Sequence, residues 1–432
     1  MYKLLLPLTL VASVFLPATA QTLDLPSTKD AIQSFSGHSA KSLEPSGPLT
    51  LQTALALALS ANAEVSAARY ELSAVEASVV QAGVLPNPSL SIQRQDTRRE
   101  TRETTVQLSQ PFELGGKRAA RVQAAERGRD AAGAALSTKQ AEVRAAVISI
   151  FFDVLNAQER MRLAQESATL AERATTVAAK RVIAGKVSPV EETRARVAET
   201  GVRLELLQAK SDLSSARKRL SATWGSVMPR FERAEGDLQS LPTLPEPVAL
   251  MARLSTAPAL VRARYEVDRR QALTRLERSR RTPDVTVSLG VNRNEELGRN
   301  QAIIGVSVPL PIFDTNRGNV LEALRRTDKA RDELAGTETR LGTELAQAIE
   351  KLSTSRQEVE ALQQDILPGA QSAYQATTTG FEFGKFGFLD VLDAQRTLLQ
   401  AKSQYLRALS EAHRASAEID RILGEPTNVA SQ

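Results

Sequence analysis

Two carboxylates three residues apart, Asp390 and Asp393, are the residues whose type and spacing draw the eye first. They follow Gly384-Lys385-Phe386-Gly387-Phe388, with Val391 and Leu392 between them. Positions three apart on a helix share a face, so the two acids point the same way. Acids in the first turn of a helix are stabilised by the helix dipole by about 0.3–1 kcal/mol, so Asp390 could also serve only as a cap. The equivalent pair earlier in the chain is Glu191 and Glu192, after Gly185-Lys186-Val187-Ser188-Pro189. These could be dipole partners alone. The glycines Gly185, Gly384 and Gly387 supply turn conformations that other residues resist. Phe383, Phe386 and Phe388 put three aromatics into six residues of a chain that is only 4% aromatic. Exposed, they suggest a docking surface; buried, packing between subunits.

Catalytic constellations are missing. No Ser/His/Asp set, no Cys/His set and no HExxH motif is present in the sequence. The chain has no cysteine, which removes disulfides, thiolate metal sites and lipids attached through cysteine. Its two histidines, His38 and His413, are far apart, and a packing or surface role suits each. Gly115-Gly116-Lys117-Arg118 looks superficially like a phosphate loop but lacks the spacing of one. We expect no catalytic residue, no cofactor and no bound metal: a conduit and not an enzyme. The 55 basic and 50 acidic residues alternate along helical stretches, which reads as solvated helix faces. Without interleaved aromatics or a recognition motif, no nucleic acid is implied.

The elements that must position the two acids are long. Residues 1–20 read as a secretory signal peptide: Lys3, an apolar run from Leu4 to Leu16, and Pro17-Ala18-Thr19-Ala20 before the cut. No other run approaches the roughly 18 apolar residues of a membrane-spanning helix. Residues 21–48 lack periodicity and read as irregular. Thr50 is placed to cap a short helix running to Leu59.

From there the chain repeats. Arg69-Tyr70-Glu71 returns as Arg264-Tyr265-Glu266, 195 positions on, and Pro88 returns as Pro283. Beyond an insertion the offset becomes 199, matching Arg118 to Arg317, Gly185-Lys186 to Gly384-Lys385, and Trp224-Gly225 to Leu423-Gly424. We divide the chain into a first repeat over 49–225, a Pro-rich linker over 226–247, a second repeat over 248–424 and a tail over 425–432. Each repeat has a helix ending at a proline and two short period-two runs with a charged connector. The runs are 89–95 and 104–110, then 284–291 and 301–308. A long helix follows, from Lys117 to Ala184 and from Asn316 to Phe383, with Pro368 placed to kink the second. At 1.5 Å per residue each is on the order of 100 Å long. Val143, Val147, Ile150, Val154 and Met161 in one, and Leu341, Leu345, Ile349, Leu352, Val359, Leu362 and Ile366 in the other, recur as coiled-coil contacts do. A return helix ends at Trp224 or Leu423.

The fold class is therefore mainly α with a small β part: duplicated helical hairpins plus two β-hairpins. Four strands cannot close a barrel, and membrane barrels need at least about eight. Helices this long also need neighbours for their apolar faces. Several copies pooling their strands and helices into a ring satisfy both demands.

On the duplication, the Pro86-Asn87-Pro88 lead into the first strand, the paired hairpins and the Gly384–Ala394 motif Gly-x-x-x-x-Leu-Asp-Val-Leu-Asp-Ala, the chain resembles the outer-membrane efflux protein family, the TolC-like exit ducts. Gln110-Pro111-Phe112-Glu113-Leu114-Gly115-Gly116-Lys117-Arg118 looks like its heavy-metal, cobalt–zinc–cadmium branch. The resemblance implies a homotrimer, with a 12-strand outer-membrane barrel continued by a 12-helix periplasmic tunnel. It implies that the tips, Gly185, Lys186, Val187, Ser188, Gly384, Lys385, Phe386, Gly387 and Phe388, meet a periplasmic adaptor (a membrane fusion protein). Through the adaptor they would reach a proton-driven inner-membrane transporter of the RND type. It implies that Asp390 and Asp393 ring the closed end of the tunnel, with Glu191 and Glu192 as secondary tip acids. Phe386 and Phe388 depart from the more polar residues of many relatives, and no lipid anchor is expected without cysteine. A duct for drugs or for type I protein secretion would use the same fold. A periplasmic adaptor would have one hairpin framed by compact β-domains, unlike the two hairpins and four short strands read here.

Overall fold

The computed structural model describes residues 44–96, 98–383 and 385–424; Glu382, Phe388 and Leu389 are described by their backbone alone. The expected signal peptide, His38 and the 425–432 tail lie outside the described residues.

The first half opens with β1 (Leu49–Thr50), α1 (Leu51–Ala61) and α2 (Ala63–Ala82), followed by the hairpin β2 (Ser89–Gln95) and β3 (Glu103–Phe112). The long α3 (Lys117–Ile183) and its return α4 (Pro189–Ala222) complete it. A connecting segment holds β4 (Ala234–Glu235) and α5 (Pro247–Arg253). The second half has α6 (Pro258–Ser279), the hairpin β5 (Val285–Asn294) and β6 (Arg299–Ser307), then α7 (Arg317–Ala361), a π-helical turn (Leu362–Ile366), α8 (Leu367–Glu382) and the return α9 (Phe388–Leu423). Thr50 caps α1 as its type suggests, its hydroxyl accepting the Thr53 N–H at 3.3 Å. Among the described residues no helix is long and apolar enough to cross a membrane.

The two long helices begin alike. Each follows a residue in the left-handed region, Gly116 (φ 72°) and Asn316 (φ 57°). Asparagine tolerates that conformation better than other residues with a Cβ. These two are 200 positions apart, so the offset of 199 does not hold at this turn. Where a kink is expected at Pro368, the helix instead widens just before it. The Leu367 N–H donates to the Leu362 carbonyl, five residues back. A widened turn accommodates a proline that lacks an N–H of its own. Ile366 sits on this turn and is exposed, against the coiled-coil expectation; Leu341, Leu345, Leu352, Val359 and Leu362 are buried.

Each half has its own apolar core. Val147, Phe151 and Val154 of α3 pack with Leu220, Trp224 and Phe231 in the first. Leu341, Leu345 and Leu352 of α7 pack with Ala412, Ile419 and Ile422 in the second. The connecting segment is more than a linker. β4 pairs in parallel with β1, and Phe231 is fully buried. Glu44, in a stretch expected to be irregular, takes N–H donors from Arg230 (2.6 Å), Phe231 (3.2 Å) and the Trp224 indole (3.2 Å). Three donors on one buried carboxylate fix this loop, and no period in the sequence announces them.

His413 has the packing role expected of it. Its ring stacks on Phe152, centroids 3.6 Å apart, and its Nε2 lies 3.2 Å from the Leu238 carbonyl. Burial pushes its pKa down from 6.5 to about 4, against the opposing pull of the Leu238 carbonyl and Asp237. The unfolded chain therefore takes up a proton first. Stability is full above pH 6.5 and drains as pH falls toward 4, by at most about 3 kcal/mol from this group. Thermal unfolding followed from about pH 7.5 to about pH 4.5 is expected to show this loss, and a His413→Phe variant to show a smaller one. Equal slopes in the two proteins would contradict it.

The two hairpins form one sheet, in the order β2-β3-β5-β6, antiparallel throughout. Register sorts its faces. Leu90, Leu108, Leu289 and Ile304 stand in one row, and Ile92, Val106, Val291 and Ala302 in the next. The opposite face carries Ser91, Gln107, Gly290 and Ile303 in one row, and Gln93, Thr105, Asn292 and Gln301 in the next, so it is polar apart from Ile303. The apolar face is bare: Leu90, Ile92, Ile304 and Val306 are 66–78% exposed. β2 and β6 are open edges within the chain.

Candidate functional site: the hairpin tips

The first tip forms because α3 runs out of hydrogen-bonded turns at a glycine. The Lys186 N–H donates to the Arg181 carbonyl (2.9 Å) while Gly185 has φ 69°. This left-handed closure is the ordinary way a helix ends. Ser188 then caps α4, its hydroxyl accepting the Val190 N–H at 3.3 Å, with Pro189 in the first turn. Gly185, Lys186 and Ser188 are exposed, and Val187 is half-buried.

The second tip closes with the matching hydrogen bond. The Lys385 N–H donates to the Gly380 carbonyl at 2.7 Å, the same bond 199 positions on. Gly384 lies outside the described residues, and Phe388 is described only as the first residue of α9. The Gly387 N–H donates to the Asp390 carboxylate at 2.8 Å. Asp390 thus does cap its helix, reaching back as the third residue of a capping box does. Asp393, one turn further, is exposed, and no ion pair holds either acid among the described residues.

The equivalent positions of the first tip carry different chemistry. Glu191 and Arg194 stand where Asp390 and Asp393 stand in the second, and they pair at 3.3 Å. Glu192 pairs with Arg196 at 2.6 Å. Both glutamates are therefore neutralised by arginines of their own helix. Two acids without basic partners distinguish the second tip.

The phenylalanines divide. Phe383 is 76% exposed and is free to meet a partner. Phe386 is 46% exposed and lies over Gly380, where an added Cβ would clash with its ring. A glycine is required there by the ring. Gly380→Ala is expected to destabilise the tip by about 1–3 kcal/mol, and adding Phe386→Ala to relieve most of that. Purely additive losses in the double variant would sink this contact.

A contact between the hairpins was missed from sequence. Phe381 and Leu392 of the second pack on Ala178 and Ala195 of the first, and the Arg181 guanidinium sits 4.0 Å from the centre of the Phe381 ring. The usable signal was the pair of small residues, since alanines on both arms of one hairpin leave room for a large side chain from another. Among the described residues no group of three or more histidines, cysteines or carboxylates could hold a metal ion.

Comparison with known proteins gives these features a setting. The family model "Outer membrane efflux protein" matches the chain twice, over residues 54–226 and 250–425. The cobalt-zinc-cadmium resistance protein CzcC of Cupriavidus metallidurans is 49% identical over 381 residues, covering 88% of this chain and 91% of CzcC. The nickel and cobalt resistance protein CnrC of the same organism is 28% identical, covering 72% of this chain and 74% of CnrC. Among solved structures, the open state of the outer membrane channel MtrE of Neisseria gonorrhoeae superposes with a TM-score of 0.74 at 20% identity. The match covers 88% of this chain and 90% of MtrE.

Proposed function

We propose, since the chain belongs to the outer membrane efflux protein family, that it is the outer-membrane channel of a metal-cation export system. The sheet carries this reading. It has one bare apolar face, one polar face and two open edges. Placed in a bilayer, unpaired edge groups would each cost several kcal/mol, so the sheet must close on itself through other copies. Three copies, with β6 of one pairing β2 of the next, give twelve strands. The apolar rows then face lipid and the Ser, Gln, Thr and Asn rows face a watery lumen.

The helices support the same assembly. On α4, Val190, Val197 and Leu204 are spaced by seven and are 54%, 69% and 62% exposed. A heptad seam left open within one chain is a seam for a neighbouring one. Twelve helices from three copies would continue the barrel as a periplasmic tunnel. The tips, with exposed Phe383 and Lys385, would meet a periplasmic adaptor and through it a proton-driven inner-membrane transporter. Three copies of Asp390 and Asp393 would form an acidic ring at the tunnel end.

The metal cargo rests on the likeness to CzcC. Deleting the gene is expected to raise sensitivity to cobalt, zinc or cadmium, read as growth inhibition, and the intact gene in trans to restore tolerance. Unchanged sensitivity to all three, with the pump expressed normally, would overturn the metal assignment and leave a duct for other cargo.

A further inference from the structure

The apolar face of β6 does not end with the sheet. Ile304, Val306, Val308, Leu310 and Ile312 continue one alternating series, although the strand stops at Ser307. Leu310 is 75% exposed, Ile312 70% and Phe313 99%. Pro309 and Pro311 occupy the intervening positions. Without N–H groups they cannot extend the ladder, so this stretch is apolar for a reason other than pairing. The Ile312 N–H turns back to the Leu310 carbonyl at 2.9 Å. Immediately afterwards the chain becomes polar. Asp314 accepts the Asn316 N–H at 2.9 Å, and the Asn316 side-chain amide is tied to the Glu277 carbonyl at 2.8 Å.

Leu310 lies three residues past the strand, about 10 Å along extended chain. An apolar run that crosses into polar residues within that distance fits the boundary between acyl chains and headgroups. Aromatic residues concentrate at that depth in membrane barrels. The first half places Phe112 and Leu114, 52% and 43% exposed, at the matching end of β3. Polar groups sit beside them, with the Lys117 ammonium 2.7 Å from Asp284.

Resting on the reading of the sheet as part of a membrane barrel, we propose that Leu310, Ile312 and Phe313 form a wedge inserted into the periplasmic leaflet of the outer membrane. The wedge anchors the junction between barrel and helices in lipid. The occupant is phospholipid, because the wedge is continuous with the apolar face and ends where the polar residues begin.

The test uses the full-length protein in phospholipid vesicles without bromine and in two brominated sets, one with bromines on the acyl chains near the headgroup and one with bromines near the chain ends. The chain has one tryptophan, Trp224, which is 3% exposed and gives the background emission. Phe313→Trp adds a reporter on the wedge, and Ile304→Trp adds one on the sheet face. The added emission of Phe313→Trp is expected to be blue-shifted and mostly lost in the set brominated near the headgroup, as is that of Ile304→Trp in the set brominated near the chain ends. If the Ile304→Trp emission is lost and the Phe313→Trp emission survives in both sets, the loop is covered by a partner subunit or water and the wedge is overturned. If both survive, the barrel reading falls and the wedge falls with it.

Discussion

A lysine in place of Ile304 is expected to keep the protein out of the outer membrane. Ile304 stands opposite Leu289 in the middle of the bare apolar face, 78% exposed. A lysine at the bilayer midplane costs about 2–4 kcal/mol in a membrane barrel. Three copies raise this to roughly 6–12 kcal/mol per trimer, close to the whole stability of an ordinary folded protein, about 5–15 kcal/mol. Gln107→Lys, on the polar face beside Gly290, places the same charge in the lumen and is expected to assemble normally. Fractionated outer membranes probed for the assembled protein read the difference. Equal amounts of both variants in the membrane would mean that the apolar rows do not face lipid.

Removing the charge at the second tip is expected to have the largest effect on conduction. Asp390→Asn with Asp393→Asn keeps an oxygen able to accept the Gly387 N–H, so the cap seen at 2.8 Å survives while the charges go. A ring of three such pairs concentrates cations at the narrow end of a water-filled path. Its loss is expected to lower the preference for cations over anions severalfold in planar bilayers. The paired Glu191 and Arg194 of the first tip give the control. Glu191→Gln with Arg194→Gln removes a whole ion pair, leaves the net charge of the tip unchanged and should change selectivity far less. Selectivity untouched by the aspartate changes would leave Asp390 and Asp393 as a cap and a solvated surface.

Much of this was legible in the sequence because periodicity reports single elements well. Alternation from Val285 to Val291 and from Ala302 to Val308 marks strands, and glycine followed by a capping residue or an acid marks both tips. The order of the strands was not legible, because pairing β3 with β5 joins residues 173 to 191 positions apart and no local pattern encodes it. The same holds for Glu44, whose three donors lie more than 170 residues away. Proline content made 226–247 read as a linker, yet Phe231 and the β1–β4 pair make it part of the core. At the tips, sequence placed the acids and aromatics but treated the phenylalanines as one group. Only the fold separates exposed Phe383 from Phe386, seated on Gly380, and brings Phe381 under Arg181. Contacts between hairpins depend on how two helices face each other, which a repeat within each helix does not specify.

The central claim is that one chain supplies a third of a closed barrel. The most direct measurement is the mass of the native complex extracted from purified outer membranes, by light scattering corrected for detergent. Three copies of the 46.8 kDa chain, less any cleaved leader, are expected in the outer-membrane fraction. A monomer in the soluble periplasm would contradict the account.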